Sequence, residues 1–152
     1  MSVLVYAESE QGKFKKVAFE VASYAKAVAN QLGTSVTAVA INVSDASSLA
    51  KYGVDKVLNI TNQDLGNFNA KIYANILKQA AEKENTKVIV VSSSANSKYL
   101  APLLAVELQA GYASNVVEAP SSVSPFTVKR TAFTNKAFEF LEITTDVKIV
   151  GV

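Results

Sequence analysis

The chain has 152 residues, 49% apolar and 18% charged, with a formal net charge of +2. That is the size and balance of one globular domain spanning 1–152, the opposite of a disordered composition. There is no cysteine and no histidine, which excludes disulfides, thiolate chemistry, the commonest general base and most zinc or triad enzymes, so no catalytic or metal-ligating residue is assigned. The lysines are scattered and no apolar stretch reaches transmembrane length, which disfavours nucleic acid and membrane insertion. The start, Met1 to Tyr6 running into Glu8 and Glu10 without a basic leader, reads as cytoplasmic.

Val3 to Ala7 is a continuous β-branched and aromatic run, the pattern of a central parallel strand buried on both faces. From Phe14 to Leu32, Val17, Val21, Tyr24, Ala25, Val28 and Leu32 recur at helical spacing, and Gly33 follows as a left-handed cap. Ser35 to Ile41 is a second buried strand; Asp45 caps a short helix through Lys51, closed by Gly53, and Lys56 to Ile60 is a third strand. Phe68 to Glu84 is again helical, and Lys87 to Val91 is the most apolar strand. Ser92 to Ser97 is a polar turn leading into a helix from Tyr99 to Ala110, which ends at Gly111. Strands alternating with helices of these lengths give an α/β, Rossmann-like open parallel sheet with helices on both faces.

The last forty or so residues change period. Val116 to Glu118, Phe126 to Phe133, Ala137 to Ile143 and Lys148 to Val152 alternate at two, with Thr134-Asn135-Lys136 as a hairpin turn. They read as short antiparallel strands added at one edge of the sheet. Ser121 to Pro125 is linker-like but too short to divide domains, and the apolar stop at Val152 reads as a cut polypeptide, although a terminal edge strand also ends this way.

In an open α/β sheet ligands bind beyond the carboxyl ends of the strands, at the point where strand order reverses. The first such loop, Glu8-Ser9-Glu10-Gln11-Gly12-Lys13, carries two glutamates and one glycine, matches no phosphate-binding fingerprint, and reads as a solvated acidic turn. The loop after the fourth strand is the better candidate. The hydroxyls of Ser92 and Ser94, the following helix start and Lys98 are the groups that hold a ribose or phosphate, although serines also cap helices. Asn42 reads either a base edge or its own backbone. Glu8 with Glu10, and Glu139 with Glu142, read as solvated faces rather than acid/base pairs. Only one of Lys129 and Arg130 points outward on a strand, so the other meets a buried acid or a partner. Tyr99, Phe126, Phe133, Phe138 and Phe140 fill core or interface.

The order of elements, together with Val3-Leu4-Val5-Tyr6-Ala7-Glu8 and Gly12-Lys13, Leu100-Ala101-Pro102-Leu103-Leu104-Ala105, Gly111-Tyr112-Ala113-Ser114-Asn115 and Val128 to Ala137, resembles the electron transfer flavoprotein alpha subunit, amino-terminal domain. The resemblance implies a sheet of the adenine nucleotide alpha-hydrolase-like (HUP) type in a heterodimeric, FAD-containing electron carrier. Such a carrier accepts electrons from acyl-CoA and other flavoprotein dehydrogenases, as in fatty acid β-oxidation. It implies that this domain is a scaffold that packs against the beta subunit. FAD is held mostly by a carboxy-terminal half with no counterpart here, so none is expected on this chain. The beta subunit holds AMP in the same fold; here the corresponding loops, Ala7 to Glu10, Asn42 and Ser92 to Lys98, lack that pattern and read as vestigial. Where the family often has Pro-Arg, this chain has Pro102-Leu103, with no arginine for a salt bridge.

Two other readings share the architecture. A stand-alone universal-stress-type nucleotide-binding module needs a glycine-rich segment after the fourth strand, and Ser92 to Lys98 has no glycine; an ATP pyrophosphatase-like enzyme needs a serine-glycine loop after the first. Apolar residues on both phases from Phe126 to Val152 imply a surface that binds the beta subunit or, in isolation, forms a homodimer. Of Phe138 and Phe140, one is expected to face the core and the other the partner.

Overall fold

The computed structural model describes residues 1–152. In chain order the elements are β1 (Ser2–Tyr6), the two-residue strands β2 (Ser9–Glu10) and β3 (Lys13–Phe14), α1 (Lys16–Leu32), β4 (Ser35–Ile41), β5 (Lys56–Ile60), α2 (Ala70–Lys83), β6 (Val88–Val91), α3 (Ala95–Leu108), β7 (Gly111–Ala113), β8 (Ser122–Val123), β9 (Phe126–Ala132), β10 (Ala137–Ile143) and β11 (Lys148–Gly151). Short 3₁₀ turns lie at Ser47–Tyr52 and Gln63–Leu65.

Six strands make one parallel sheet in the order β5-β4-β1-β6-β11-β7. Every residue of β1 and β6 is buried, which is why these strands read as unbroken apolar runs. Alternate side chains divide between two cores. Val3, Val5, Val36, Ala38 and Val90 meet α1, and Leu4, Tyr6, Val39, Ile41 and Ile89 meet α2 and α3. The buried stripe of α1 is largely alanine, Ala18, Ala22, Ala25 and Ala29, so its backbone lies close to the sheet. Gly33 ends it at φ 69°, a left-handed cap. No helix is long and apolar enough to cross a membrane.

The carboxy-terminal third agrees with the expected α/β class but places its strands differently. The run from Lys148, expected as an antiparallel edge strand, is parallel and interior: β11 inserts between β6 and β7, with Lys148 opposite both Val88 and Gly111. Its Ile149 and Val150 are fully buried, which accounts for the apolar run. The antiparallel strands do not extend the main sheet. They form their own sheet, order β10-β9-β8, lying on the α1 face. The reason is one-sided burial. Phe126, Val128 and Ile143 share the face that alternation turns inward, and joined edge to edge they would stay wet; laid over the main sheet they are buried.

Local boundaries shift for similar reasons. Gly111 does not cap α3; Gln109, at φ 53°, does, while Gly111 opens β7 where a Cβ would lie 2.7 Å from Ile143 Cγ2. Val116 makes only an isolated bridge to Arg130, and the linker-like serines at 121 and 122 lead into β8.

Candidate functional site

Strand order sets the place to look. From β1 the chain steps outward to β4 and β5, then crosses back to β6 on the other side of β1. The reversal falls between β1 and β6, whose carboxyl ends lead into Glu8 and Ser92.

Glu8 is not a solvated turn residue. It is 2% exposed, and the hydroxyls of Ser92, Ser94 and Ser97 all donate to its Oε1, at 2.7 Å from Ser94 and 2.6 Å from Ser97. Ser94 is the amino cap of α3 and accepts from the Ser97 amide at 3.2 Å, so the loop that supplies the donors is fixed by the helix it starts. Lys15 Nζ stands 3.5 Å from Glu8 Oε2. The reach of Lys15 is set by sequence: Gln11 and Gly12, at φ 51° and 80°, make a two-residue hairpin turn between β2 and β3, and the Lys15 amide returns to the Glu8 carbonyl at 3.0 Å. Burial alone would raise the Glu8 pKa. The three serine hydroxyls and Lys15 outweigh it and hold the carboxyl below its ordinary value. Oε2 accepts no hydrogen bond, and Ser93 Oγ is buried without a partner.

A cavity of about 420 Å³ lies beside this cluster, lined by Glu8, Glu10, Gly12, Lys15, Asn42 and Asn96 on the polar side and by Tyr6, Phe68 and Tyr73 on the aromatic side. Burial, and next the Glu8 charge, push the Tyr6 hydroxyl pKa far up, so it stays neutral. Asn42, at φ 55°, lines the cavity, but its side chain is engaged with a neighbouring loop. It donates to the Asn62 carbonyl and accepts from the Asn62 amide, each at 2.8 Å, tying the loops after β4 and β5 together.

Of the residues singled out in the sequence, Ser92 and Ser94 therefore converge, but on a carboxylate of the chain itself. Ala7 is buried and its amide bonds the Val39 carbonyl at 3.0 Å. Lys98 is exposed on α3, does not line this cavity and pairs with no acid; Lys15 supplies the positive charge instead. Glu10 is exposed, so Glu8 and Glu10 are not a pair, and Glu139 and Glu142 are exposed as expected. Lys15 was missed, Ser97 lay in the candidate loop without being singled out, and Glu8 was read as a solvated turn residue. The available signal was that Glu8 directly follows a strand buried on both faces.

The second notable surface is the small sheet. Phe138 and Phe140 are two residues apart on β10, hence on one face, and both are exposed, at 62% and 65%. The expected division into one core and one outward ring does not occur. Phe126 is core; Phe133, at the hairpin, and Tyr99, on α3, are exposed. Lys129 shares the outer face, with Nζ 4.5 Å from the Phe138 ring centre and 3.1 Å from Glu118. Arg130 is the inward one. It meets the Ser114 carbonyl at 2.9 Å and pairs with Glu139, which is itself half exposed and not the expected buried acid.

A model of the electron transfer flavoprotein domain matches residues 3–152. The chain belongs to that family. Its counterpart is the amino-terminal domain of the alpha subunit. It is 29% identical over 138 residues to the electron transfer flavoprotein subunit alpha of Bacillus subtilis (strain 168), covering 90% of this chain and 42% of that protein. With the subunit alpha of Syntrophomonas wolfei subsp. wolfei the identity is 24% over 139 residues, 91% of this chain and 44% of that one. With the lactate dehydrogenase (NAD(+),ferredoxin) subunit LctC of Acetobacterium woodii it is 32% over 112 residues, 72% of this chain and 27% of that one. The electron transfer flavoprotein domain described here thus spans less than half the length of these relatives.

Proposed function

We propose that this domain is the scaffold and docking part of an electron transfer flavoprotein alpha subunit, binding a beta subunit while FAD is held by the part of the subunit outside 1–152. The observation that carries the reading is the outer face of β9 and β10, where Phe138 and Phe140 stand exposed on the free edge strand of the small sheet. Exposed aromatic rings beside a charged rim of Lys129, Glu118 and Glu142 are the composition of a protein interface, and an unpaired strand edge adds main-chain donors and acceptors. Electron donors on this reading are flavoprotein dehydrogenases, acyl-CoA dehydrogenases among them, reached through the assembled carrier in the cytoplasm.

The residues of the crevice do not fit a flavin dinucleotide. A pyrophosphate needs free amides and uncommitted cations, whereas here Ser94 caps α3, Lys15 faces Glu8, and Glu8 and Glu10 both line the cavity. No step of electron transfer is therefore routed through this crevice. The same occupancy speaks against the universal-stress-type nucleotide module, because the serines that would hold a phosphate already hold a carboxylate.

The test is co-expression with an electron transfer flavoprotein beta subunit. The wild-type chain should co-purify with it, colourless, and the double variant Phe138→Glu, Phe140→Glu should keep its circular dichroism but lose the partner, reverting to monomer in sedimentation. A double variant that still co-purifies at wild-type yield removes the interface from this face. A chain that forms a tight homodimer through the same rings and ignores the beta subunit removes the heterodimer reading.

A further inference from the structure

We infer that Ser92, Ser94 and Ser97, with Lys15, form an oxyanion site which the chain fills with its own Glu8 carboxylate, so that the crevice is closed to carboxylate and phosphate ligands and opens to them only when that side chain is removed. This stands apart from the docking reading, since it concerns the opposite kind of surface and different residues.

Three features converge. The first is placement, since the carboxylate sits at the reversal of strand order between β1 and β6, where an open α/β sheet has its ligand crevice. The second is coordination. Oε1 receives three hydroxyl donors, from Ser92, the cap Ser94 and Ser97 in the first turn of α3, a convergence that is stronger on an ionised carboxylate than on a neutral acceptor, and Lys15 stands 3.5 Å from Oε2. The loop enters α3, a fourteen-residue helix whose amino end favours negative charge. The third is what is left over. Glu8 is 2% exposed, yet its Oε2 has no hydrogen-bond donor, and Ser93 Oγ is buried without a partner. The Glu8 carboxylate, tethered to its own backbone, thus occupies the donor cluster without matching every polar atom in it.

Access follows from the cavity. Glu8 and Lys15 both line the 420 Å³ space that opens beside the cluster. Truncating Glu8 therefore joins the vacated oxyanion position to solvent, and a small free anion has a path to it. In the wild-type chain the same position is occupied by the Glu8 carboxylate, and Lys15, the nearest cation on the cavity wall, is already paired with it.

The experiment is anion rescue of the full chain. Wild type, Glu8→Ala and Glu8→Gln are melted in sodium chloride, sodium formate, sodium acetate and sodium phosphate at one ionic strength and neutral pH. Glu8→Ala is expected to melt well below wild type in chloride and to regain a large part of the loss in formate or acetate, saturating with concentration; phosphate reports whether a tetrahedral oxyanion is also taken. Wild type, whose site is filled, and Glu8→Gln, which refills the space with a neutral amide, should respond to formate no more than to chloride. Equal formate responses in Glu8→Ala and wild type overturn the inference, because the effect is then a general salt effect. Should Glu8→Ala fail to fold in chloride, refolding in formate decides the matter: a cooperative native signal supports the site, and an unfolded chain in both salts overturns it.

Discussion

The crevice at the end of β1 and the outer face of β9 and β10 invert the usual rule in opposite directions. At the first, a charged side chain is buried and surrounded by donors; at the second, aromatic rings lie in solvent at more than half exposure. A buried charge survives only where it is paired and hydrogen-bonded, and removing one member leaves the others unpaired. An exposed ring needs nothing from its own chain. The first surface is therefore finished within the domain, and the second is complete only with something laid on it. Substitutions at the two places should differ accordingly: large stability effects at the crevice, small ones on the sheet.

The largest effect is expected at Glu8. Glu8→Gln keeps the volume but removes the charge that three hydroxyls and Lys15 are arranged around, at a cost of roughly 2–3 kcal/mol, the range for hydrogen bonds to a charged group in a buried network. For a chain of this length that is a loss of roughly 4–12 °C in Tm. The pH dependence sharpens it. The folded carboxyl titrates below its ordinary value of 4.5, so Glu8 contributes its full stability above that value and loses it as pH falls through the lower, folded value. Urea midpoints of wild type and Glu8→Gln should be far apart at neutral pH and converge in strong acid. A gap that stays constant between the two extremes would mean that Glu8 acts by shape alone.

Gly12→Ala is expected to come next. Gly12 lies at φ 80°, and a Cβ there would have its nearest neighbours at 3.6 Å, Ser44 Oγ, and 3.8 Å, the Asn42 carbonyl, which is ordinary contact. The cost is therefore conformational, about 1 kcal/mol for a left-handed alanine. Because this turn returns Lys15 to Glu8, the variant weakens the cluster without touching it. Gly12→Asn, which tolerates the left-handed region, should lose less than Gly12→Ala in thermal melts; an equal or larger loss would show that space rather than φ is limiting there.

How far the sequence could carry this depends on which rule governed each segment. Runs buried on both faces, Val3 to Ala7 and Val88 to Val91, are read directly because no polar alternation is permitted there. So are the helix stripe of α1 and its cap at Gly33. The placement of β11 was not legible, since an apolar run such as Ile149-Val150 suits an interior parallel strand and a buried edge equally well. The charge at Glu8 was misread for a different reason: local composition shows a glutamate in a turn, while the donors that bury it lie more than eighty residues away, across a pairing of β1 with β6 that only the fold creates. Phe138 and Phe140 were misdivided although the rule was available, because a spacing of two on a strand puts both rings on one side.

The smallest stability effects should fall on that outer face, and the two rings are not equivalent. Lys129 Nζ lies 4.5 Å from the Phe138 ring centre, so Phe138→Glu exchanges a cation–π contact for a carboxylate beside the same ammonium. That ammonium also holds Glu118 at 3.1 Å, and a second acid shares it rather than replacing it. Phe140, opposite Lys129 in the register of β9 and β10, has no cation over its ring and loses little when charged. Both single variants should stay within about 0.5 kcal/mol of wild type, the ordinary range for surface positions. Denaturant midpoints measure the difference, and Phe138→Glu should also become more salt-dependent than Phe140→Glu because its new contact is ionic. A loss at either position as large as that of Glu8→Gln would show that the rings are held by the domain itself, and the contrast between a closed crevice and an open sheet face would fail at that point.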